Sequence, residues 1–216
     1  MEPELFHVLN RGVEKRTIVL DDKDRLRFVH DLYAFNDKRP TPNYILSGRH
    51  TESAREPLVH IHAFCLMHNH YHLLLSEAGE NGISRFMHKF NMGYAKYFNE
   101  KYERSGVLWQ GPSKKIRLVH DAHLMYIPYY IHLNPLDFKY PQWRMGGVKK
   151  PQQALDYLRA YRWSSHLDYS RIHNFPSITT SDLLRGILGN EKQYEKEIRA
   201  IITNPQLAAQ SELIEN

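Results

Sequence analysis

An α+β fold, an antiparallel sheet with helices on one face, is the class this sequence predicts, and three observations predict it. Short runs rich in strand-forming residues alternate with longer stretches whose apolar positions recur at helical spacing. Two of the short runs, 59–67 and 70–76, are joined so tightly around His68-Asn69 that a hairpin is expected. The chain has 216 residues, 42% of them hydrophobic, which suits one buried core with room for an appendage.

Taken in order, 5–9 (Leu-Phe-His-Val-Leu) reads as a strand closed by Asn10-Arg11-Gly12. Asp21 or Asp22 can cap a helix to about residue 37, with Leu26, Val29, Leu32, Tyr33 and Phe35 as its apolar set. Residues 39–57 hold three prolines and no clear period, and are expected to form an exposed, disordered loop. After the hairpin, Gly79 to Gly82 breaks the chain. A long helix follows over 83–102, with Ile83, Phe86, Met87, Phe90, Tyr94 and Tyr97 on one stripe. Stretches 107–110 and 115–119 read as one strand interrupted at Gly111-Pro112. Asp121 can cap a helix that Pro135 stops, and Pro128 within it is expected to kink it. Helical segments over 151–161, 181–188 and 191–202 complete the chain. The expected division is a sheet domain over 1–140 and a helical C-terminal extension over 141–216 packed on it.

Composition narrows the function classes. No apolar run is long enough to span a membrane, and the first residues show no secretory signal, so a cytoplasmic protein is expected. A single cysteine, Cys65, excludes an internal disulfide and a cysteine-based zinc cluster; its apolar surroundings predict an inert core thiol. A formal net charge of +5 favours a polyanionic partner.

The chemistry concentrates in Met67-His68-Asn69-His70-Tyr71-His72-Leu73-Leu74-Leu75. Alternation along a strand sends His68, His70 and His72 one way, and Tyr71, Leu73 and Leu75 the other. Same-face neighbours on a strand lie about 6.5–7 Å apart, so two such imidazoles can close on one divalent ion. A solvent-facing histidine strand is the plain alternative. On the later helix, Leu124, Ile127 and Ile131 form the inward stripe, while Tyr126, Tyr130 and Asn134 share another face. Two imidazoles and an amide oxygen could hold Mg²⁺ or Mn²⁺, with a phenol as nucleophile for phosphoryl transfer. A free phenol titrates near pH 10, so the metal would chiefly polarise the phosphate. By itself, a Tyr/Asn pair on a helix is ordinary packing.

Five motifs in order carry a resemblance. They are Asn10-Arg11-Gly12, His70-Tyr71-His72, Gly106-Val107-Leu108-Trp109-Gln110, Tyr130-Ile131-His132-Leu133-Asn134-Pro135 and Arg162-Trp163-Ser164-Ser165. Together they resemble the single-tyrosine HUH transposases, in the branch associated with repetitive extragenic palindromes, over roughly residues 5–170. The resemblance implies a ferredoxin-like sheet domain that cuts and rejoins single-stranded DNA beside a palindromic stem-loop, through a 5′-phosphotyrosine intermediate. It assigns Tyr130 as nucleophile and His70, His72 and Asn134 as metal ligands. His68 stands where this branch usually has proline, and it offers a competing His68/His70 pair. Asn69 is not hydrophobic, which favours the His70/His72 register.

The DNA contacts expected are Lys89, Lys96, Trp109, Lys114, Lys115, Arg117, Lys149, Lys150 and Arg162, with nucleoid association and room for a homodimer. Trp109 reads more readily as a core residue than as a base-stacking platform, and the basic residues of the long helix equally as a solvated face. A catalytically silent hairpin-binding protein of the same fold is the alternative from another class; retention of both histidines, Tyr130 and Asn134 argues against it. A hydrolase of small phosphoesters is a third, distinguished by its forming no protein–DNA adduct. An HNH nuclease is rejected, because that motif spreads over a hairpin and a helix rather than a tripeptide.

Overall fold

The computed structural model describes residues 3–39 and 55–208. The four strands β1 (Leu5–Arg11), β2 (Val59–Leu66), β3 (His70–Glu77) and β4 (Lys114–Arg117) form one sheet in the order β2-β3-β1-β4, every pair antiparallel. Helix α1 (Asp22–Ala34) connects β1 to β2, and α2 (Gly82–Lys101) connects β3 to β4. This is the ferredoxin-like βαββαβ arrangement, so the expected class and the antiparallel sheet are both observed. Most of the expected loop, residues 40–54, lies outside the described residues.

One face of the sheet packs under α1 and α2. Phe6 and Val8 of β1 and Tyr71, Leu73 and Leu75 of β3 meet Phe28, Val29 and Leu32 of α1 and Ile83, Phe86, Phe90 and Tyr94 of α2. The α2 stripe is thus the expected one up to Tyr94, after which Phe98 is buried and Tyr97 only half-buried. The inward face of α1 is the expected one only in part, with Val29 and Leu32 buried. Phe28 is buried, whereas Leu26 and Tyr33 are exposed at 47% and 38%, because the helix rolls Phe28 against Tyr71 and Phe90. Its start is secured by a capping box in which Asp21 and Asp24 exchange backbone hydrogen bonds.

The opposite face carries Leu5, Ala63, Cys65 and Leu74, and it is covered by α3 (Asp121–Leu133) together with the C-terminal helices. The helices expected on one face therefore divide, with α3 on the other. That second core also includes Trp143 and residues of α4 (Pro151–Ala160), α6 (Asp182–Leu188) and α7 (Glu191–Thr203). Between α4 and α6 lies the short α5 (His166–Tyr169). Cys65 is buried there, and burial pushes its thiol far up, as expected of an inert core group.

Three local features depart from pattern. A register shift at His62 lets Val59 and Ile61, then Phe64 and Leu66, all reach the α1/α2 face of β2. The bulged His62 lies 2.8 Å from Ser76 Oγ and 3.1 Å from the Thr180 carbonyl through its two ring nitrogens. Residues 107–110 are not a strand: Val107 is 70% exposed, and Trp109 makes only an isolated bridge to Gly12. Helix α3 runs unbroken through Pro128, and His120 rather than Asp121 holds its capping position. The free edge of β2 is covered by Trp163 to Ser165, where Leu66 N–H donates to the Trp163 carbonyl and Ser165 N–H to the Phe64 carbonyl.

Candidate active site

The strand period delivers the two histidines. Tyr71 is locked into the α1/α2 core, its phenol donating to Asn91 Oδ1 at 2.8 Å, so His70 and His72 must emerge on the opposite face. His68 lies before β3, in the turn, and stacks on Phe138 with 4.2 Å between ring centroids. The His70/His72 pair is therefore the one the sheet brings together, at 5.0 Å and nearly perpendicular. Nδ1 of His70 is 2.6 Å from Asn69 Oδ1, an oxygen that only accepts. That ring consequently carries its proton on Nδ1 and keeps Nε2 as a lone pair.

Helix α3 brings Tyr130 edge-on to His72, 5.6 Å between centroids, and 6.0 Å from His7 of β1. These side chains line one cavity of about 750 Å³ with Arg11, Lys114, Asp137 and Arg144. Burial is the main reason that both imidazoles stay neutral. The pKa of His70 is held down to about 4, with Arg11 assisting. His72 lies well below the ordinary range, through burial and then the His7 and His70 rings beside it. Neutral imidazole is the metal-binding form. Nε2 of His72 is a buried ring nitrogen with no hydrogen-bond partner. A buried ring nitrogen left without a partner fits a divalent cation when it carries no proton, as does the lone pair on His70.

Asn134 fits that role less well. It is fully buried; its amide donates to the Tyr130 carbonyl at 2.8 Å, and its Oδ1 accepts from Arg144 at 3.1 Å. The amide oxygen expected to complete a ligand set with His70 and His72 is committed to a guanidinium. Arg144 also makes a two-point contact with Asp137, at 3.0 and 2.7 Å, and lies 5.4 Å from the Tyr130 ring centre. No group of three or more His, Cys, Asp and Glu side chains suited to a metal ion occurs among the described residues.

The expected DNA-contacting residues do not form one surface. In the β1/β4 ladder, Leu9 faces Lys114 while Val8 and Phe6 face Lys115 and Arg117. Lys114 therefore enters the cavity. Lys115 and Arg117 project on the α1/α2 face, where Lys115 pairs with Glu77 at 3.0 Å and Arg117 with Glu4. Lys89 and Lys96 sit on α2, on that same far side. Lys89 donates to the Asp37 and Arg39 carbonyls, and Lys96 lies 3.7 Å from Glu100. Trp109 is half-buried against Tyr71, with its indole N–H on the Asn91 carbonyl at 2.9 Å, the arrangement of a core residue rather than an open base platform. Lys149 and Lys150 are exposed ahead of α4, and Arg162 lies over Trp163 and Phe175. Arg11, Asp137 and Arg144 are cavity residues that reasoning from sequence missed. Only Arg11 had a signal, its place in Asn10-Arg11-Gly12.

Residues 46–134 match the family model described as "Transposase IS200 like". A solved structure described as "Structure of the REP associates tyrosine transposase bound to a REP hairpin" is similar to this chain at 15% identity. The match covers 84% of this chain and 87% of that one, with a TM-score of 0.49. No curated protein matches the chain significantly.

Proposed function

Starting from the IS200-like transposase sequence that residues 46–134 match, we propose that this protein cleaves and rejoins single-stranded DNA through Tyr130. One observation carries the reading: two neutral imidazoles, one with an unpartnered buried Nε2, converge with a tyrosine in a cavity whose rim bears Arg11, Lys114 and Arg144. Phosphoryl transfer needs a positioned nucleophile and fixed positive charge around the phosphate. The Tyr130 phenol gives up its proton and attacks phosphorus, forming a phosphotyrosine with the 5′ end and releasing a 3′ hydroxyl. The reverse attack by a 3′ hydroxyl rejoins the strand. His70 and His72 would hold Mg²⁺ or Mn²⁺, which when bound polarises the scissile phosphate. Imidazole suits Mn²⁺ at least as well as Mg²⁺. Asn134 would join them only after release from Arg144; until then it fixes the Tyr130 backbone through a hydrogen bond.

The division proposed is a chemistry-bearing sheet domain over 1–140 and a helical extension over 141–216 that lends Arg144 to the cavity. The substrate is single-stranded at the cut, since an unpaired strand can bend a phosphate into a cavity that buries Tyr130, with a stem-loop beside it. We place this activity in the cytoplasm, at the nucleoid, and it is compatible with a homodimer. No helix among the described residues is long and apolar enough to cross a membrane.

The test is a denaturing gel with end-labelled stem-loop DNA, Mn²⁺, and wild-type or Tyr130→Phe protein. Wild type should give a covalent protein–DNA adduct, and Tyr130→Phe none, with DNA affinity within a few-fold. Adduct formation by Tyr130→Phe but not by Tyr126→Phe or Tyr129→Phe would move the nucleophile. No adduct from wild type, with tight hairpin binding, would leave a silent binding protein. Raising salt should weaken stem-loop and linear duplex alike while the stem-loop preference persists; equal binding at physiological salt would reject the hairpin.

A further inference from the structure

We propose that His7 is a positioning residue that accepts the Nδ1–H of His72, holding the tautomer in which His72 presents a bare Nε2 to a divalent cation. This rests on the metal site proposed above. His7 stands on β1 opposite Leu74, and its ring meets that of His72 end to end, with 5.2 Å between centroids and 15° between planes. Its Nε2 is 2.9 Å from His72 Nδ1. Both rings are buried, at 2% and 4% exposure.

Two neutral imidazoles joined end to end share one proton across the contact, and its direction decides what the far nitrogen can do. If His7 Nε2 donates, His72 accepts at Nδ1 and carries its own proton on Nε2, where it repels a cation. If His72 Nδ1 donates, His7 accepts and His72 Nε2 is bare. The two ends of this pair, His7 Nδ1 and His72 Nε2, are both buried without a hydrogen-bond partner. Nothing among the described residues therefore satisfies the His72 end, and a cation there supplies the missing partner and selects the second arrangement. His7 occupies the position where a ligating histidine ordinarily keeps a carboxylate or carbonyl acceptor that fixes its ring and tautomer.

The experiment titrates Mn²⁺ into the full-length protein without DNA and follows free Mn²⁺ by electron paramagnetic resonance. His7→Phe keeps a ring in the space but removes the acceptor, whereas His7→Gln keeps an acceptor. His7→Phe should bind Mn²⁺ about 10- to 100-fold more weakly, the usual effect of removing such an outer partner, with His7→Gln in between. The unfolding midpoint of the metal-free variants reads lost packing separately. Equal Mn²⁺ affinity in wild type and His7→Phe would overturn the role of His7 and leave the metal site standing. Absence of Mn²⁺ binding in wild type would overturn the metal site itself. Should His7→Phe not fold, ¹⁵N imidazole spectra of the Zn²⁺-loaded wild type decide. A proton on His72 Nδ1 with His7 Nε2 bare supports the proposal, and a proton on His7 Nε2 refutes it.

Discussion

Lowering the pH from about 7 to about 5 should remove stability through buried histidines, and His166 isolates the contribution of one of them. His166 lies in the second core, 4% exposed, with Nδ1 2.9 Å from the Tyr194 hydroxyl. Burial, assisted by Arg159, holds its pKa down to about 3. In the unfolded chain the same group titrates near 6.5. Its contribution is therefore complete above about pH 6.5 and is lost as pH falls toward 3, because only the unfolded state takes up the proton. Each pH unit inside that window costs about 1.4 kcal/mol, so one such group loses about 2 kcal/mol between pH 7 and 5. His7 and His62 are held down to about 3 and about 4 by burial and act in the same direction. Three such groups amount to about 6 kcal/mol, comparable with the whole stability of a typical domain. Asp24, where burial raises the pKa but hydrogen bonds from Lys101, Tyr102, the Leu20 backbone and Tyr97 together lower it, begins to lose its contribution only below about pH 4, outside the window. Urea unfolding at about pH 7, 6 and 5 reads the slope. His166→Gln keeps a hydrogen-bonding side chain without a titrating one, and should flatten the slope by about 1.4 kcal/mol per pH unit. Parallel slopes for wild type and variant would refute the buried, neutral His166.

Three further outcomes are expected. His70→Ala or His72→Ala should abolish Mn²⁺-dependent cleavage while His68→Ala, outside β3 and stacked on Phe138, retains it; full activity in excess chelator would remove the metal from the reaction. Arg144→Ala removes a fixed positive charge from the cavity and leaves the Asp137 carboxylate there uncompensated, which should outweigh the freeing of Asn134 and slow cleavage by about 10- to 100-fold, the size of losing charge-assisted interactions; an unchanged single-turnover rate would reject its place in the site. Gly82→Ala would put a Cβ 2.0 Å from the Leu58 carbonyl oxygen, backbone that cannot swing aside, so unfolding should occur with about 1–3 kcal/mol less stability, measurable as a lower urea midpoint.

The sequence by itself determined whatever depends on local period. Alternation along β3 separates His70 and His72 from Tyr71, Leu73 and Leu75, and the helical stripe of α2 marks the face it buries; both are properties of a few consecutive residues. The hairpin at His68-Asn69 and the capping of α1 are equally local. Tertiary structure decided what depends on register or on meetings between distant segments. Whether Lys114 or Lys115 points into the cavity follows from the pairing of β4 with β1, which no stretch of four residues specifies. The bulge at His62 reverses the facing of half of β2, and a one-residue shift leaves no mark in composition. Nearly all of α3 from Tyr126 onward is buried, so its amphipathic pattern was too faint to show that it covers the second sheet face. Arg144, capturing Asn134, lies beyond the end of α3, and His7, end to end with His72, comes from a strand 65 residues away. The histidines and the tyrosine of the cavity could be read from the chain; their partners had to be brought by the fold.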